Sequence, residues 1–145
     1  MLRIEHEHRF GCSVDAGFAY ITDIANWPDY WPGFVRIEPG SRWSAPGDEA
    51  VIVVRLLGRE VELHMTLSRL STNELVEYES RQHGLPDARH ERHFLREDGG
   101  LRYRLVVEYE PRARLRGLYD RVLVRRGVER ALRQTVANLE AKLTA

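Results

Sequence analysis

The sequence contains a single cysteine, a single lysine and no apolar segment long enough to cross a membrane. The lone Cys12 excludes an internal disulfide and fits a reducing compartment, and because no metal-binding spacing surrounds it, we interpret it as a structural thiol. A membrane-spanning helix needs about 18 or more apolar residues, so none is expected. Met1 leads directly into alternating charge rather than into a signal peptide, and the expected location is cytoplasmic.

An excess of charge of either sign is also missing, since 22 basic residues balance 22 acidic ones over 145 residues. Nucleic-acid-binding domains usually carry a basic excess or stripe, so no nucleic-acid partner is expected. A chain of this length is typical of one domain with a real core, and we expect a single domain over residues 1–145.

The C-terminal residues 112–143 contain no proline and repeat apolar residues at helical spacing. These apolar positions are Leu115, Leu118, Val122, Leu132, Val136, Leu139 and Leu143. At about 3.6 residues per turn they form one stripe, and a helix about 45 Å long needs a broad surface to lie against. Gly117 and Gly127 weaken it by about 1 kcal/mol each, so a bend or restart near Gly127 is expected. Arg125 and Glu129 interrupt the stripe, and they either reach solvent at that bend or lie in a cavity beside a ligand.

The N-terminal residues 2–10 alternate charged residues with apolar residues or histidine, which predicts a strand with one charged face. His6 and His8 belong to the other face. Ser13 can cap a helix that begins near Val14.

Three large aromatic residues then fall within five positions, at Trp27, Tyr30 and Trp31, in a segment that Pro32-Gly33 ends. They either cover the core or form the mouth of a pocket.

The middle of the chain reads as six strands joined by short turns that carry glycine, asparagine or proline. The predicted strands are 34–38, 49–56, 60–70, 75–80, 88–96 and 101–109. Strands joined in this way form an antiparallel meander.

Turn lengths also predict the register. With loops of even length, the expected partners are Val54 and Val61, Ile52 and Leu63, Leu67 and Tyr78, Arg69 and Val76, Phe94 and Tyr103, and Arg92 and Leu105. Because side chains alternate between the two faces of a sheet, His90, Arg92 and Phe94 then share a face with Tyr103 and Leu105. The first strand adds His6 and His8 to that face.

Several local segments resemble one family. They are Phe18-Ala19-Tyr20-Ile21-Thr22-Asp23, Trp31-Pro32-Gly33-Phe34, Asp98-Gly99-Gly100-Leu101, Tyr109-Glu110-Pro111 and the end of the C-terminal helix. The whole chain resembles the START-like, or SRPBCC, superfamily, in its polyketide cyclase/dehydrase and lipid transport branch. This resemblance implies an α+β helix-grip fold, with a seven-stranded curved antiparallel sheet around a long C-terminal helix and two short helices between the first two strands. It also implies an apolar cavity between sheet and helix.

The predicted cavity combines apolar residues with a few polar ones, as ligand pockets usually do. Its predicted members are His6, Trp31, Phe34, Leu63, Met65, Tyr78, His90, Arg92, Phe94, Tyr103, Leu105, Arg125, Glu129 and Leu132. His90, Arg92 and Tyr103 are the candidates for acid/base catalysis. No HExxH motif or paired Cys/His spacing appears, so neither a metal nor another cofactor is expected.

Three functions fit this reading. Members of the superfamily bind lipids, polyketides or other hydrophobic molecules, which favours a carrier or sensor of a small hydrophobic ligand. The alternatives are a polyketide cyclase, aromatase or dehydratase, and a module that engages a partner or a membrane through the Trp27–Trp31 region. The sequence leaves a homodimer open.

Overall fold

In a computed structural model of the protein, residues 1–56, 58–110 and 117–143 are described, with no side chains for residues 117–123. Seven strands and three helices occur in the described residues. The strands are β1 (Leu2–Phe10), β2 (Phe34–Ile37), β3 (Glu49–Leu56), β4 (Arg59–Ser71), β5 (Leu75–Arg81), β6 (Ala88–Glu97) and β7 (Gly100–Tyr109). The helices are α1 (Val14–Thr22), α2 (Trp27–Tyr30) and α3 (Gly117–Leu143), with a single 3-10 turn at Ile24–Asn26 before α2. The strand bounds lie within one residue of the predicted ones.

All seven strands form one antiparallel sheet in the order β1-β7-β6-β5-β4-β3-β2. Strands β2 to β7 form a meander, and β1 closes it by pairing with β7, from Leu2 opposite Tyr109 to Phe10 opposite Leu101. The chain crosses from β1 to the far edge at β2 through α1 and α2, and α3 returns across the curved sheet and contacts β1 and α2. This is the predicted helix-grip fold.

The register follows the predicted turns in most of the sheet. Five predicted partnerships are confirmed: Val54 with Val61, Ile52 with Leu63, Leu67 with Tyr78, Phe94 with Tyr103 and Arg92 with Leu105. The turn between β6 and β7 has two central residues, Asp98 and Gly99, with φ of 48° and 77°. Two positive φ values are typical of the predicted type I′ turn.

One predicted partnership is wrong, because Arg69 pairs with Glu77 rather than with Val76. The loop between β4 and β5 has three residues instead of four, and Asn73 at its centre takes a left-handed φ of 63°. A β-bulge between Leu67 and Arg69 then absorbs the difference. The bulge restores the predicted pairing of Leu67 with Tyr78, so the error stays local.

Helix α3 runs through Gly127 without interruption, so the predicted restart there is wrong. Gly127 is exposed, and a Cβ added to it would meet nothing within 4 Å. Close packing against another element is therefore not the reason for glycine at this position of the continuous helix. Leu132, Val136 and Leu139 are buried at helical spacing against the sheet. The predicted start at residues 112–116, with Leu115, lies outside the described residues, as do the side chains of Leu118 and Val122.

Helix α1 begins where Ser13 caps it, since Ser13 Oγ accepts a hydrogen bond from the Ala16 amide at 3.1 Å. Its inner side packs Gly17 closely against Leu101 of β7, because a Cβ at Gly17 would lie 2.4 Å from Leu101 Cδ2. The phenyl rings of Phe18 and Phe94 meet edge to face at 4.9 Å. These contacts fix α1 beside β6 and β7.

Candidate functional site

Sheet and helix α3 do not close completely on each other. A cavity of about 200 Å³ lies between them, with walls from α3, from strands β3 to β7 and from the Trp31-Pro32 segment. Most of its lining is apolar, including Leu63 and Met65 of β4 and Leu132 of α3. A second hollow of about 60 Å³ lies toward α1 and α2. Both hollows are lined by Trp31, Tyr78, Arg92 and Thr135, so Arg92 lies where the two meet.

A polar cluster on β5 and β6 projects into these hollows. Tyr78 and His90 are cross-strand partners, and their rings stack with centroids 4.3 Å apart and planes only 4° apart. Ser80 Oγ lies 2.8 Å from His90 Nε2. Arg92 Nη2 donates to the Tyr78 hydroxyl at 3.1 Å, and its guanidinium carbon lies 5.5 Å from the Tyr78 ring centroid. Alternation along the two strands brings all four side chains to one face.

Burial determines the charges of this cluster. It lowers the pKa of His90 well below its usual value, and the positive charge of Arg92 lowers it further. His90 is therefore neutral at physiological pH. Burial also raises the pKa of Tyr78 and Tyr103 despite the opposing effect of Arg92, so both phenols keep their protons.

Arg92 keeps its charge in this setting. Burial by itself lowers the pKa of its guanidinium, but the oxygens of Tyr78, Tyr103 and Tyr30 outweigh that effect and the pKa is raised. The site consequently combines a cation with neutral hydrogen-bonding groups.

Three buried polar atoms around the larger cavity have no hydrogen-bond partner among the described residues. They are Trp31 Nε1, His90 Nδ1 and the Tyr109 hydroxyl, and all three residues line that cavity. Trp31 approaches the Tyr30 hydroxyl closely enough to oppose the rise in the pKa of Tyr30, but its Nε1 makes no hydrogen bond of ordinary geometry there. Buried polar groups in native proteins are nearly always paired, so three orphans around one space mark it as unusual.

The structure separates the predicted cavity residues into three groups. Trp31, Leu63, Met65, Tyr78, His90, Arg92 and Leu132 line the larger cavity. Phe94 and Tyr103 line the smaller hollow, together with Trp31, Tyr78 and Arg92. His6, Phe34, Leu105, Arg125 and Glu129 line neither.

The prediction that Arg125 and Glu129 lie in the cavity is wrong. Arg125 Nε is 3.0 Å from Glu129 Oε1, and the two side chains are 52% and 36% exposed. The apolar stripe of α3 turns Val124, Val128 and Ala131 toward the cavity instead. An exposed ion pair four residues apart on a helix avoids the desolvation cost that a buried pair would carry.

The other three misplaced residues have local reasons. His6 pairs with Leu105 where β1 meets β7, and burial, together with the charges of His8 and Arg133, lowers its pKa. Leu105 is fully buried in the core, and Phe34 lies on the short edge strand β2. They share the correct face of the sheet but lie away from the unfilled space.

The aromatic residues at positions 27–31 both cover the core and line the hollows. Trp27 is only 2% exposed and donates from Nε1 to the Ile21 carbonyl at 3.3 Å, and Tyr30 donates to the same carbonyl at 2.7 Å. These two residues cover the core, whereas Trp31 lines both hollows. The Trp27 ring is not available at the surface, and engagement of a partner or membrane through this region stays a prediction.

Several wall residues were missed by sequence analysis: Ser80, Tyr109, Ala131 and Thr135. Strand alternation alone would have found two of them, since Ser80 follows Tyr78 by two positions and Tyr109 follows Val107 by two. Nothing in the sequence distinguishes Ala131 and Thr135 from their helical neighbours.

Two features are absent from the described residues. In the described ranges, no three His, Cys, Asp or Glu side chains come together in a way that could hold a metal ion. No helix in the described part of the chain is long and apolar enough to cross a membrane.

Several solved structures share this architecture. An aromatase/cyclase from Streptomyces sp. R1128 superimposes with a TM-score of 0.85 at 14% identity, covering 99% of this chain and 93% of its own. The protein TTHA0849 from Thermus thermophilus gives 0.83 at 16% identity, with 99% and 97% covered. A START superfamily protein from Mycobacterium smegmatis gives 0.81 at 10% identity, with 98% and 97% covered. At such identities the likeness shows a shared fold, which is that of the START-like proteins.

The sequence itself identifies the branch. The profile of the family described as polyketide cyclase/dehydrase and lipid transport matches residues 1–144. The chain belongs to that family. Among curated proteins, none matches the sequence.

Proposed function

We propose that this protein binds a small, mainly apolar molecule in the cavity between sheet and α3, and carries or senses it. The observation that carries this proposal is the set of three polar atoms, on Trp31, His90 and Tyr109, that have no partner among the described residues and lie in a mainly apolar wall. Leaving a buried polar atom unpaired costs about 1–3 kcal/mol. A ligand with polar groups at one side would recover that cost.

The size of the cavity limits the ligand. A cavity of about 150 Å³ is known to hold benzene, so the 200 Å³ here suits a body of one or two rings or a short acyl chain. A lipid with two long chains does not fit this volume. Binding of an apolar body would be driven by its removal from water, at about 25 cal/mol for each Å² of apolar surface.

The first test is native mass spectrometry of the purified protein, followed by denaturation to release and identify any bound molecule. Retention of one apolar compound at a stoichiometry near one supports the proposal. Fluorescence titration with 2-naphthol gives an independent measurement, because Trp31 lines the cavity and should report occupancy. Absence of both a copurified molecule and 2-naphthol binding would contradict the proposal.

A cavity-filling variant makes the test specific. Ala131 of α3 faces the cavity, whereas Ala137 lies on the exposed side of the same helix. Ala131→Trp should abolish 2-naphthol binding, and Ala137→Trp should leave it unchanged. Equal binding by both variants would show that the probe binds elsewhere.

One observation favours catalysis as a second candidate. Among the described residues, His90 is a neutral imidazole with an unpaired Nδ1 in the cavity, so this nitrogen is available to exchange a proton with a bound substrate; Arg92 beside it weakens the imidazole as a base but would stabilise an enolate once a proton has left. Such a group could enolise or dehydrate a polyketide-like molecule, as the family description allows. For an enzyme, His90→Gln should lower turnover of such a substrate by about 10²-fold or more, while a carrier should keep its ligand.

A further inference from the structure

Arg92 is a cation on the cavity wall for which the described residues supply no acidic partner. No carboxylate oxygen in those residues lies within ion-pair distance of its guanidinium, which contacts the Tyr78 hydroxyl at 3.1 Å and the Glu91 backbone carbonyl at 3.2 Å. The Tyr103 hydroxyl also interacts with it, and all three oxygens are neutral. Part of the guanidinium N–H donors remains available, because this side chain carries five of them in a fixed fork, as every arginine does.

Two other arginines of the same sheet do have carboxylate partners. Arg89, three positions earlier on β6, points to the outer face and lies 3.5 Å from Glu77, and Arg102 of β7 lies 2.6 Å from Glu97. Within the described residues, these two exposed arginines therefore have carboxylate partners, whereas the arginine on the cavity wall has none. Since an unpaired charge is costly away from water, this is the reverse of what stability alone would favour.

The remaining lining also lacks negative charge. No Asp or Glu is among the described residues that line either hollow. Trp31 Nε1 can only donate a hydrogen bond, and the Tyr109 hydroxyl keeps its proton because burial raises its pKa. Among the described residues, the polar lining of the cavity consequently combines one positive charge with neutral groups, and it contains no anion.

We propose that the ligand is an organic anion, with a carboxylate held by Arg92 and an apolar body of one or two rings in the larger cavity. This inference rests on the proposed function and specifies its ligand class. Hydrogen bonds from arginine to a carboxylate are short and about twice as strong as neutral ones, and two parallel bonds fix orientation as well. Tyr78 orients the guanidinium through the bond at 3.1 Å, which fixes where the carboxylate binds.

The test compares two probes that differ only in charge, 2-naphthoic acid and 2-naphthamide, by isothermal titration calorimetry at pH 7.5. The unmodified protein should bind the acid about tenfold to a hundredfold more tightly than the amide. Arg92→Met, which keeps most of the side-chain length, should remove that preference. Arg89→Met removes a charge from the outer face of the same strand and should preserve it.

The outcomes separate this inference from the proposed function. Equal binding of acid and amide by the unmodified protein would overturn the anion inference and leave an apolar ligand standing. Failure of both probes to bind at millimolar concentration would overturn the two together. The comparison of acid and amide binding by the unmodified protein requires no variant, so it tests the inference even if Arg92→Met fails to fold.

Discussion

Gly33 offers a sharp test of how the fold positions the cavity wall. It directly follows Trp31 and Pro32, which line the cavity, and it takes a φ of +68° that favours glycine. A Cβ placed on Gly33 would lie 2.4 Å from the backbone oxygen of Arg55 in β3. In addition, the Arg55 amide donates to the Gly33 carbonyl at 2.7 Å, so the two backbones are held in contact from both sides.

Two costs add up in Gly33→Ala. The left-handed conformation costs an alanine about 1–2 kcal/mol. Because the clashing atom belongs to the backbone, relief of the clash requires Arg55 and Gly33 to separate, which weakens a hydrogen bond worth about 1 kcal/mol. We expect a loss of about 3 kcal/mol in the free energy of unfolding and, since one wall of the cavity shifts, weaker binding of 2-naphthol.

Gly40→Ala is the matched control. Gly40 also has a positive φ, of +88°, but a Cβ there meets nothing within 4 Å. It should therefore carry only the conformational cost, about 1–2 kcal/mol. Urea denaturation followed by tryptophan fluorescence measures both variants. Indistinguishable free energies of unfolding for Gly33→Ala and Gly40→Ala would refute the argument that backbone contact with Arg55 fixes this segment.

Three further predictions concern charge and packing. The pKa of His90 is lowered in the folded state, so as the pH falls below the ordinary value of 6.5 the unfolded chain binds a proton that the folded protein does not, and the free energy of unfolding decreases by at most about 1.4 kcal/mol per pH unit. In urea titrations between pH 7.5 and 5, His90→Gln should lose less stability than the unmodified protein. Parallel curves for the two proteins would contradict the assignment of a neutral His90. Leu139→Ala, at a fully buried position of α3, should cost about 2–5 kcal/mol in the free energy of unfolding, and a cost below 1 kcal/mol would mean that α3 is not held against the sheet at this point. Arg125→Ala should change the free energy of unfolding by no more than about 0.5 kcal/mol, since its ion pair with Glu129 is exposed, and a loss above 2 kcal/mol would indicate that the pair is buried after all.

How far the sequence predicts the site can be judged from β5 and β6. Alternation and turn length place Tyr78, His90 and Arg92 on one face, because each residue along a strand reverses the direction of the side chain. The Asp98-Gly99 turn then sets the partners of Phe94 and Arg92. These relations are local, and for that reason they survive the bulge near Leu67, which moves the register only between Leu67 and the turn.

The sequence does not predict which residues of a given face reach the cavity. His6 and Leu105 have the predicted face but no contact with either hollow, because a face does not specify which part of it the helix covers. Arg125 and Glu129 have the spacing of the apolar stripe, yet the rotation of α3 on the sheet sends them to water. Rotation depends on the packing of many side chains at once, and no short window of sequence contains it.

Local sequence is enough to predict the meander, the long C-terminal helix and the placement of a histidine and an arginine on the inner face of the sheet, because periodicity and turn chemistry act over a few residues. Packing between distant parts of the chain sets the remaining properties: the space of about 200 Å³ between sheet and helix, and the polar atoms of Trp31, His90 and Tyr109 around it that have no partner among the described residues. Those properties arise from the meeting of residues far apart in the chain, where small differences in packing decide whether a space is filled or left open.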